Sequence, residues 1–397
     1  MKRKIKKGIA KGEIKAPPSK SYAHRLLIAA SLAKGESKIE GVSKSADMEA
    51  TLNCIKALGR QFTKTGDTVW INGENNDAEL VFDCLESGST LRFMIPIALL
   101  TGRRCKFTGS TRLMERGVEV YEQAFGQRGI TFEKKENEII LDGKLKPDTY
   151  SMPGNVSSQY ISGLLFALPL LNGDSVLNLT TPLESAPYVD ITIECLNMFG
   201  VEIVKGNNSF YIRGNQSYKP LSCEVTGDYS NAAFLDGFNL LGGDVSVFGL
   251  NPDSLQGDKV YRQFYEELKI GKPVIDISNC PDLGPVLFAL ASVQNGATFT
   301  GTRRLKIKES DRAEAMKKEL SKFGVSLDVQ ENSVLVGCGA KAPTAELYGH
   351  NDHRIVMALS LLLSRFGGVI DGCEAVCKSY PDFFESIASL GIESEII

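Results

Sequence analysis

Apolar runs of helical length recur along this chain, and each follows a small or polar residue. The run LLIAASLAKGES lies just beyond Ser19, and STLRFMIPIALLTGR begins two residues after Ser87. A glycine-marked turn and a strand follow each run, and then come an amphipathic helix, which often ends in a glycine, and more strand. The pattern predicts an α/β fold built from a repeated unit.

The repeated unit occurs six times, at intervals of roughly 50–75 residues, which is longer than the common solenoid repeats of about 20–50. The predicted units start at Ser19, Ser87, Val156, Tyr229, Asp282 and Asp352. A single hydrophobic core stops growing near about 250–300 residues. Six units therefore predict two domains of three units each.

Polar stretches that contain glycine or proline indicate where the domains divide. Gly214–Pro220 separates the third unit from the fourth, and Ala16–Pro18 is a second candidate linker. We expect residues 15–218 to form an N-terminal domain, and residues 1–14 with 219–397 to form a C-terminal domain that includes the first strand. The chain would then cross between domains twice, which suits closure around a ligand.

Composition is that of an ordinary globular protein, with 43% hydrophobic and 23% charged residues among 397. The net charge of −3 does not suit a dedicated nucleic-acid binder, so cation clusters must be local. The basic N-terminal segment has no apolar run behind it and does not predict a signal peptide. No apolar stretch reaches the about 20 residues that span a bilayer, and we expect a cytoplasmic protein.

Cysteines and histidines predict neither disulfides nor a metal site. The nine cysteines include no CxxC pair, so we expect reduced thiols in a cytoplasm. The three histidines, His24, His350 and His353, do not stand at metal-ligand spacings. Motifs of the GxxxxGK(S/T), GxGxxG and GxSxG types are absent, which disfavours nucleotide binding and a serine nucleophile.

Cations stand where helices are predicted to begin, although a helix N-terminus carries about +0.5 of a charge. These cations are Lys20 with Arg25, Arg92, Arg112 with Arg116, Lys308 with Arg312, Arg354, and Lys378. Each such placement costs roughly 0.3–1 kcal/mol unless an anion compensates it. Their repetition beside small and polar residues predicts a protein that binds anions at helix ends.

Three of these places offer an anion cradle, and each has a plainer explanation. Pro17–Arg25 joins a rigid turn to two hydroxyls and two cations, or else Ser19 caps a helix beside solvated cations. Gly88 permits close backbone approach in ESGSTLR, or this segment is an ordinary capped helix. Arg112 and Arg116 suit a ligand that bears both carboxylate and phosphate, or they lie on a solvated loop.

Acid–base chemistry is predicted at two further places. Glu309 adjoins Lys308 in KESDR and could exchange protons if partly buried, whereas the alternative is a solvated charge run. Asp282 precedes an apolar helix, where it either caps the helix or acts as general base towards a substrate hydroxyl. Ser157–Gln159 supply uncharged donors that either orient an anion or cap a helix.

Taken in order, these segments resemble the 5-enolpyruvylshikimate-3-phosphate synthase family over essentially the whole chain. The resemblance rests on PSKSxxxR, GSTxR, the Arg112 loop, GxVSSQ, SxPYxDIT, CPD, KESDR, NDHR and KSYPDFF. It implies two similar domains, each of three βαβαββ repeats in an inside-out α/β barrel, with the active site in the interdomain cleft. The implied reaction transfers the enolpyruvyl group of phosphoenolpyruvate to the 5-hydroxyl of shikimate 3-phosphate through a tetrahedral intermediate.

The resemblance also implies roles for individual residues. Asp282 would be the base on the 5-hydroxyl, Glu309 the proton donor to the methylene carbon, and Lys20 a third catalytic residue. The residues implied for shikimate 3-phosphate are Lys20, Ser21, Arg25, Ser157, Ser158, Gln159, Ser185, Tyr188, Asp282 and Lys308. Those implied for phosphoenolpyruvate are Lys20, Gly88, Arg112, Gln159, Arg312, Arg354 and Lys378.

No metal or other cofactor is implied, because addition and elimination need only positioning, charge stabilisation and acid–base groups. The implied partners are the two substrates, with no nucleic acid and no membrane, and the chain is expected to be a monomer that glyphosate inhibits. Arg92 and Arg116 receive no ligand. Two residues depart from the family pattern. Glu86 stands where many members have asparagine, and Arg304 stands where some members have asparagine.

Two other functions stay open. A related enolpyruvyl transferase that acts on UDP-N-acetylglucosamine is expected to have Lys-Asn near its start and a cysteine in the loop matching Ser110–Gly117. This chain has Lys20-Ser21 and no cysteine in that loop. A non-catalytic binding protein for RNA or polyphosphate would instead use the basic N-terminal segment.

Overall fold

Two units, each with its own hydrophobic core, make up the protein. The computed structural model describes residues 1–74 and 79–397. Lys20–Thr226 form what we call the continuous unit, whereas Met1–Ser19 and Gly227–Ile397 together form the split unit. The buried apolar residues fall into two clusters, and each cluster lies within one unit.

Helices and strands alternate along both units. The helices are α1 (Lys20–Leu32), α2 (Ala46–Ala57), α3 (Gly88–Ala98), α4 (Thr111–Glu115), α5 (Glu119–Phe125), α6 (Ser158–Ala167), α7 (Ala186–Met198), α8 (Tyr229–Asp236), α9 (Tyr261–Ile270), α10 (Gly284–Val293), α11 (Arg312–Ser321), α12 (His353–Phe366) and α13 (Phe383–Ser389). Short 3-10 segments include Pro281–Leu283, Arg303–Ile307 and Cys373–Lys378.

The strands are β1 (Arg3–Ile5), β2 (Lys11–Lys15), β3 (Ser37–Glu40), β4 (Arg60–Thr65), β5 (Thr68–Glu74), β6 (Val81–Asp83), β7 (Cys105–Thr108), β8 (Thr131–Lys135), β9 (Glu138–Asp142), β10 (Thr149–Met152), β11 (Ser175–Leu179), β12 (Val204–Lys205), β13 (Ser209–Ile212), β14 (Ser222–Glu224), β15 (Asp244–Phe248), β16 (Val274–Asp276), β17 (Ala297–Thr300), β18 (Leu327–Val329), β19 (Ser333–Val336), β20 (Leu347–Tyr348), β21 (Gly368–Asp371) and β22 (Ser394–Ile396).

The sheets repeat one topology. In the continuous unit their strand orders are β14-β3-β5-β4, β6-β7-β9-β8 and β10-β11-β13-β12. Each starts with a parallel pair at one edge and continues with antiparallel pairs, as in β6 with β7, β7 with β9, and β9 with β8. The parallel pair needs a crossover helix, and the antiparallel pairs need only tight turns, so one βαβαββ segment yields each of the sheets β6-β7-β9-β8 and β10-β11-β13-β12. In the sheet β14-β3-β5-β4, the edge strand β14 comes from a later part of the chain.

The split unit follows the same scheme, and the N-terminal strands β1 and β2 complete two of its sheets. Its sheets have the orders β16-β17-β19-β18, β20-β21-β1-β22 and β15-β2. β1 pairs antiparallel with both β21 and β22, so residues from the two ends of the chain share a sheet. β2 pairs in parallel with β15. The N-terminal strands therefore belong with the C-terminal part of the chain.

The apolar helices lie inside each unit and the sheets lie outside. Every residue of α10 except Val293 is buried, and α3 and α6 are almost as fully enclosed. α3 packs against α6, and α10 packs against α12. Strands such as β7 and β11 alternate between buried and partly exposed residues, which leaves one face towards the helices. This arrangement agrees with the predicted inside-out α/β fold.

The predicted helix starts of the six repeats are confirmed to within two residues. The helices concerned are α1, α3, α6, α8, α10 and α12. Four of them have a side chain that caps the first turn, namely Ser87, Ser157, Asp228 and Asp352. Such caps satisfy backbone N–H groups that have no partner within the helix, which is why polar residues mark the starts.

The division between units differs from the predicted boundaries after residues 14 and 218. The observed crossings follow Ser19 and Thr226. The second lies later because β14 pairs in parallel with β3, which holds residues 219–226 in the continuous unit. The first lies later because Pro18 bridges to Gly227, which holds residues 15–19 in the split unit. Both observed crossings are set by pairings that are remote in sequence.

Gly163 marks the closest approach of α6 to its neighbours. A Cβ atom there would collide with the hydroxyl of Tyr121 and the carbonyl of Arg92. The Tyr121 hydroxyl lies 2.8 Å from the Arg92 carbonyl and 2.9 Å from the Tyr160 carbonyl, which share its single proton, so it has little room to move.

We therefore expect Gly163→Ala to destabilise the protein by about 1–3 kcal/mol, measured by urea unfolding. Gly126→Ala is the matched control, because no atom lies within 4 Å of a Cβ there and its φ of −57° suits any residue. The control should be neutral or stabilising by about 0.4–1 kcal/mol. Equal midpoints for the two variants would contradict this account of the packing.

Candidate functional site

Arg25 is a buried cation whose hydrogen-bond partners are all neutral. Arg25 lies in the second turn of α1, and the residue is only 3% exposed. Its guanidinium donates to Thr192 Oγ1 (2.7 Å) and to the carbonyls of Ser21 (2.7 Å) and Tyr188 (2.9 Å). Burial lowers the pKa of Arg25 to about 10. A buried cation without a carboxylate partner is costly, so this position is suited to bind an anion.

The residues around Arg25 come from the starts of α1 and α7. Lys20 and Ser21 form the first turn of α1, and Ser185 precedes α7. Ser185 is buried and has a φ of +55°, a left-handed conformation that few non-glycine residues adopt. Arg25 ties the two helices together through the Tyr188 carbonyl. The structure thus brings together Ser21 and Arg25 of α1 and Tyr188 of α7.

Lys20 has an internal counterion in this structure. Its Nζ lies 2.8 Å from Asp47 Oδ2, and both side chains are less than one-fifth exposed. Asp47 was not foreseen, because nothing in its local sequence distinguishes it from a helix-capping acid in the first turn of α2. Asp47 holds Lys20 in place.

Gln159 is held by its own neighbours at the start of α6. Ser157 caps this helix and accepts from the Gln159 backbone N–H at 3.3 Å. The Gln159 side chain accepts from Arg92 Nη1 (2.7 Å) and donates to Ser89 Oγ (2.8 Å). The sequence assigned no ligand to Arg92. In the structure, Arg92 positions Gln159 and, through it, the start of α6 with the predicted donors Ser157 and Ser158.

Gly88 and Arg116 lie together at the start of α3. A Cβ on Gly88 would lie 2.8 Å from Arg116 Nη2, so a side chain there would displace this guanidinium from its place against the Gly88 backbone. Arg112 lies apart from them in α4. It is exposed, and its Nη1 lies 3.6 Å from Glu115 Oε2. The structure therefore associates Arg116, and not Arg112, with the Gly88 backbone.

Arg312 is the centre of the site in the split unit. Its side chain is 1% exposed and meets a carboxylate on each of its three nitrogens. Nη1 donates to Asp282 Oδ1 (2.7 Å), Nη2 to Glu309 Oε2 (2.8 Å) and Nε to Asp352 Oδ2 (2.8 Å). A guanidinium is a planar fork, so these bonds fix the carboxylates around it. Both residues predicted for acid–base chemistry thus share one cation.

Asp282 is surrounded by cations. Its Oδ1 also lies 3.2 Å from Lys308 Nζ, and its Oδ2 accepts from Arg354 Nη2 at 3.1 Å. Burial opposes ionisation of this group, but Arg354, Lys308 and Arg312 outweigh it and hold the pKa of Asp282 well below its usual range. Asp282 is therefore a carboxylate at neutral pH, in the form that can accept a proton.

Asp352 is a site residue whose ion pair the sequence did not reveal. It caps α12 by accepting from the Arg354 N–H (3.0 Å) while it pairs with Arg312, and its side chain is fully buried. The NDHR motif indicated the start of α12. Only the fold brings α11, which carries Arg312, against that start. Lys378 completes this group by donating to the Asn351 carbonyl at 2.6 Å.

Arg25 thus differs from the cations of the split unit. There, Lys308, Arg312 and Arg354 are balanced by Asp282, Glu309 and Asp352. Among the residues that the structure describes, Arg25 has no such carboxylate. Over residues 1–74 and 79–397 no three His, Cys, Asp or Glu side chains are grouped to hold a metal ion. Within the same residues, no helix is long and apolar enough to cross a membrane.

Comparisons with known proteins agree on one family. The family model for EPSP synthase (3-phosphoshikimate 1-carboxyvinyltransferase) matches residues 5–387. A 3-phosphoshikimate 1-carboxyvinyltransferase of Clostridium kluyveri is 42% identical, with 96% of this chain and 95% of that protein covered. The same-named protein of Clostridioides difficile is 40% identical with the same coverage. EPSP synthase of Acinetobacter baumannii shares the fold, with a TM-score of 0.78 at 22% identity over the whole of both chains.

Arg25→Met tests the anion site in the continuous unit. Inorganic phosphate should raise the thermal midpoint of the wild-type protein by about 2–4 °C per kcal/mol of binding free energy, and this increase should vanish in the variant. Arg128→Met is the matched control, because Arg128 already pairs with Asp148 at 2.6 Å. A phosphate response that persists in Arg25→Met would exclude Arg25 as the anion ligand.

Proposed function

The chain belongs to the EPSP synthase (3-phosphoshikimate 1-carboxyvinyltransferase) family, and we propose that it transfers the enolpyruvyl group of phosphoenolpyruvate to the 5-hydroxyl of shikimate 3-phosphate. Phosphate is the second product. One observation carries the proposal at the level of residues: the guanidinium of Arg312 holds Asp282 and Glu309 side by side. A carboxylate that accepts a proton and a carboxyl that donates one are what addition of a hydroxyl across the double bond of an enol phosphate requires.

Shikimate 3-phosphate is bound mainly by the first turns of three helices in the continuous unit. Arg25 supports this proposal most directly, since its charge is buried without a carboxylate partner. Hydroxyls at the starts of α6 and α7 add donors that suit phosphate oxygens. The proposed set is Lys20, Ser21, Arg25, Ser157, Ser158, Gln159, Ser185 and Tyr188, with Asp282 and Lys308 from the split unit.

Phosphoenolpyruvate is bound by the cations around Arg312, with help from the continuous unit. Its carboxylate and phosphate carry several negative charges, which suit paired guanidinium groups. The proposed set is Lys20, Gly88, Arg112, Gln159, Arg312, Arg354 and Lys378. Arg112 is exposed and lies 3.6 Å from Glu115, so its side chain can turn towards an anionic ligand. Glyphosate, as a competitor of phosphoenolpyruvate, would use the same cations.

The proposed reaction needs only groups that the chain supplies. Asp282 takes the proton of the 5-hydroxyl as its oxygen attacks C2 of phosphoenolpyruvate, and Glu309 protonates the methylene carbon. The resulting tetrahedral intermediate loses phosphate and a proton from the new methyl group, which restores the double bond. Lys20 stabilises the charge that develops on the phosphate.

Substrate binding should also change the two carboxylates. In the ligand-free protein, Asp282 and Glu309 act as counterions to Arg312. A substrate anion that binds Arg312 and Arg354 takes over part of that role. With its cations shared, the pKa of Asp282 rises from its depressed value, and the carboxylate becomes a stronger base. Glu309, released from its ion pair, becomes free to carry the proton that it donates.

The alternatives have less support. A transferase for UDP-N-acetylglucosamine does not match the loop Ser110–Gly117, which has no cysteine. An RNA-binding role for the N-terminal segment is weakened by its ion pairs, in which Lys2 lies 2.6 Å from Glu346 and Lys6 lies 2.8 Å from Glu393. We further propose a cytoplasmic monomer. The nine cysteines of the sequence include no CxxC pair, which suits reduced thiols in a reducing compartment.

The two-substrate assay tests the proposed function. Phosphate release should require both shikimate 3-phosphate and phosphoenolpyruvate, and glyphosate should suppress it by raising the KM for phosphoenolpyruvate. Each substrate alone, and UDP-N-acetylglucosamine with phosphoenolpyruvate, serve as controls. Release only with the sugar nucleotide would establish the alternative transferase, and release with neither acceptor would refute both.

Asp282→Asn tests the general base. We expect kcat to fall by about 10²–10⁴-fold, because the amide cannot accept the hydroxyl proton. The Kd for shikimate 3-phosphate, measured by calorimetry, should stay within about threefold, since the hydrogen-bonding shape is kept. Asp236→Asn is the control, as that partly buried carboxylate of the same unit lies outside the proposed site. A kcat near the wild-type value would remove Asp282 as the base.

A further inference from the structure

The turn before α12 has a strained backbone. We define it as Gly349–Asp352, between β20 and the helix that carries Arg354. His350 and Asn351 both have a φ of +51°, so two consecutive non-glycine residues are left-handed. Such a conformation is uncommon even for single residues and persists where the surroundings hold it. Something outside the turn must therefore stabilise it.

Glu319 holds the turn from the side of α11. Its side chain is fully buried, and its carboxylate accepts from His350 Nε2 (2.8 Å), Lys322 Nζ (2.7 Å) and the backbone N–H of Tyr348 (3.0 Å). Because a carboxylate only accepts, the imidazole of His350 must donate. Burial opposes ionisation, but these three donors hold the pKa of Glu319 below its usual value. Glu319 thus holds the turn at His350 and also holds Tyr348, the residue just before the turn.

The other side of the same turn holds cations of the proposed site. The Asn351 carbonyl accepts from Lys378 Nζ at 2.6 Å. Asp352 accepts from the Arg354 backbone N–H and pairs with Arg312 Nε. Two adjacent residues of the turn therefore contact the cations of Lys378 and Arg312 and the backbone N–H of Arg354. If the backbone relaxed towards ordinary φ values, the Asn351 carbonyl and the Asp352 carboxylate would turn away from these contacts.

We propose that Glu319 and His350 form a latch that positions Arg354 and Lys378 for phosphoenolpyruvate. Both are positioning residues, since they act through the turn. This inference rests on the proposed function and deepens it, because it concerns one substrate and not the other. The latch acts on cations proposed for phosphoenolpyruvate, whereas most residues proposed for shikimate 3-phosphate belong to the continuous unit, so affinity for that substrate should not depend on the latch.

His350→Ala is the test, since it removes the latch and leaves a residue that disfavours the left-handed conformation. We expect the KM for phosphoenolpyruvate to rise about tenfold, which corresponds to about 1.4 kcal/mol. The Kd for shikimate 3-phosphate should stay within about twofold of the wild-type value. Hydrogen exchange of the backbone amides in residues 348–354 should quicken about tenfold, as expected if local opening becomes easier.

Two variants refine the test. His350→Gln retains an N–H donor on a side chain of comparable length and should recover most of the affinity for phosphoenolpyruvate. His350→Gly removes the latch but accepts a positive φ, so it should fall between His350→Ala and the wild type. Glu314→Gln is the control, because Glu314 lies on α11, the helix that carries Glu319. Glu314 is exposed, and its carboxylate lies 3.7 Å from Lys317 Nζ.

The outcomes separate the latch from the proposed function. If His350→Ala leaves both the KM for phosphoenolpyruvate and the exchange rates unchanged, the latch is refuted. The same follows if both substrates are weakened equally while the thermal midpoint falls, since that pattern indicates general destabilisation. If the wild-type protein shows no two-substrate turnover, the proposed function fails, and the exchange rates of His350→Ala against Glu314→Gln still decide whether the latch holds the turn.

Discussion

Burial of guanidinium groups near helix N-termini is the constraint on which the site depends. Arg25 and Arg312 are almost fully buried, at 3% and 1% exposure, although both a low dielectric and a helix start disfavour a cation. The two units meet this cost in different ways. Arg312 is neutralised by three carboxylates, whereas Arg25 is held by a hydroxyl and two carbonyls and keeps its charge for a ligand.

These two solutions imply different roles for the ligand-free protein. An uncompensated cation is ready for an anion, and its ligand supplies the missing charge. A compensated cation must exchange one partner for another, so in the proposed function the substrate would compete with Asp282 and Glu309 for the same guanidinium. The exchange connects binding to chemistry, because the displaced carboxylates are the groups proposed to move protons. Loss of stability at such places is the usual consequence of building a functional site.

The repeated fold supplies the helix starts at which these groups lie. Each apolar helix is buried among others and ends its first turn near polar side chains, while sheets such as β6-β7-β9-β8 cover the outside. The interior helices are packed closely enough that Gly163 admits no side chain. Rigid packing of this kind lets side chains such as Arg92 hold Gln159, and lets Glu319 hold the turn at His350, at fixed distances.

The sequence by itself determined what depends on neighbouring residues. Helix starts at the six repeats followed from caps, apolar runs and glycine turns, all of which act over a few residues, and ordered motifs indicated the family. Only the tertiary structure decided which remote groups meet: β14 beside β3, Asp352 on Arg312, and Glu319 on His350. A buried charge needs a partner, but many carboxylates in the sequence could serve equally well. The choice among them is made by the packing of helices and strands that lie far apart along the chain.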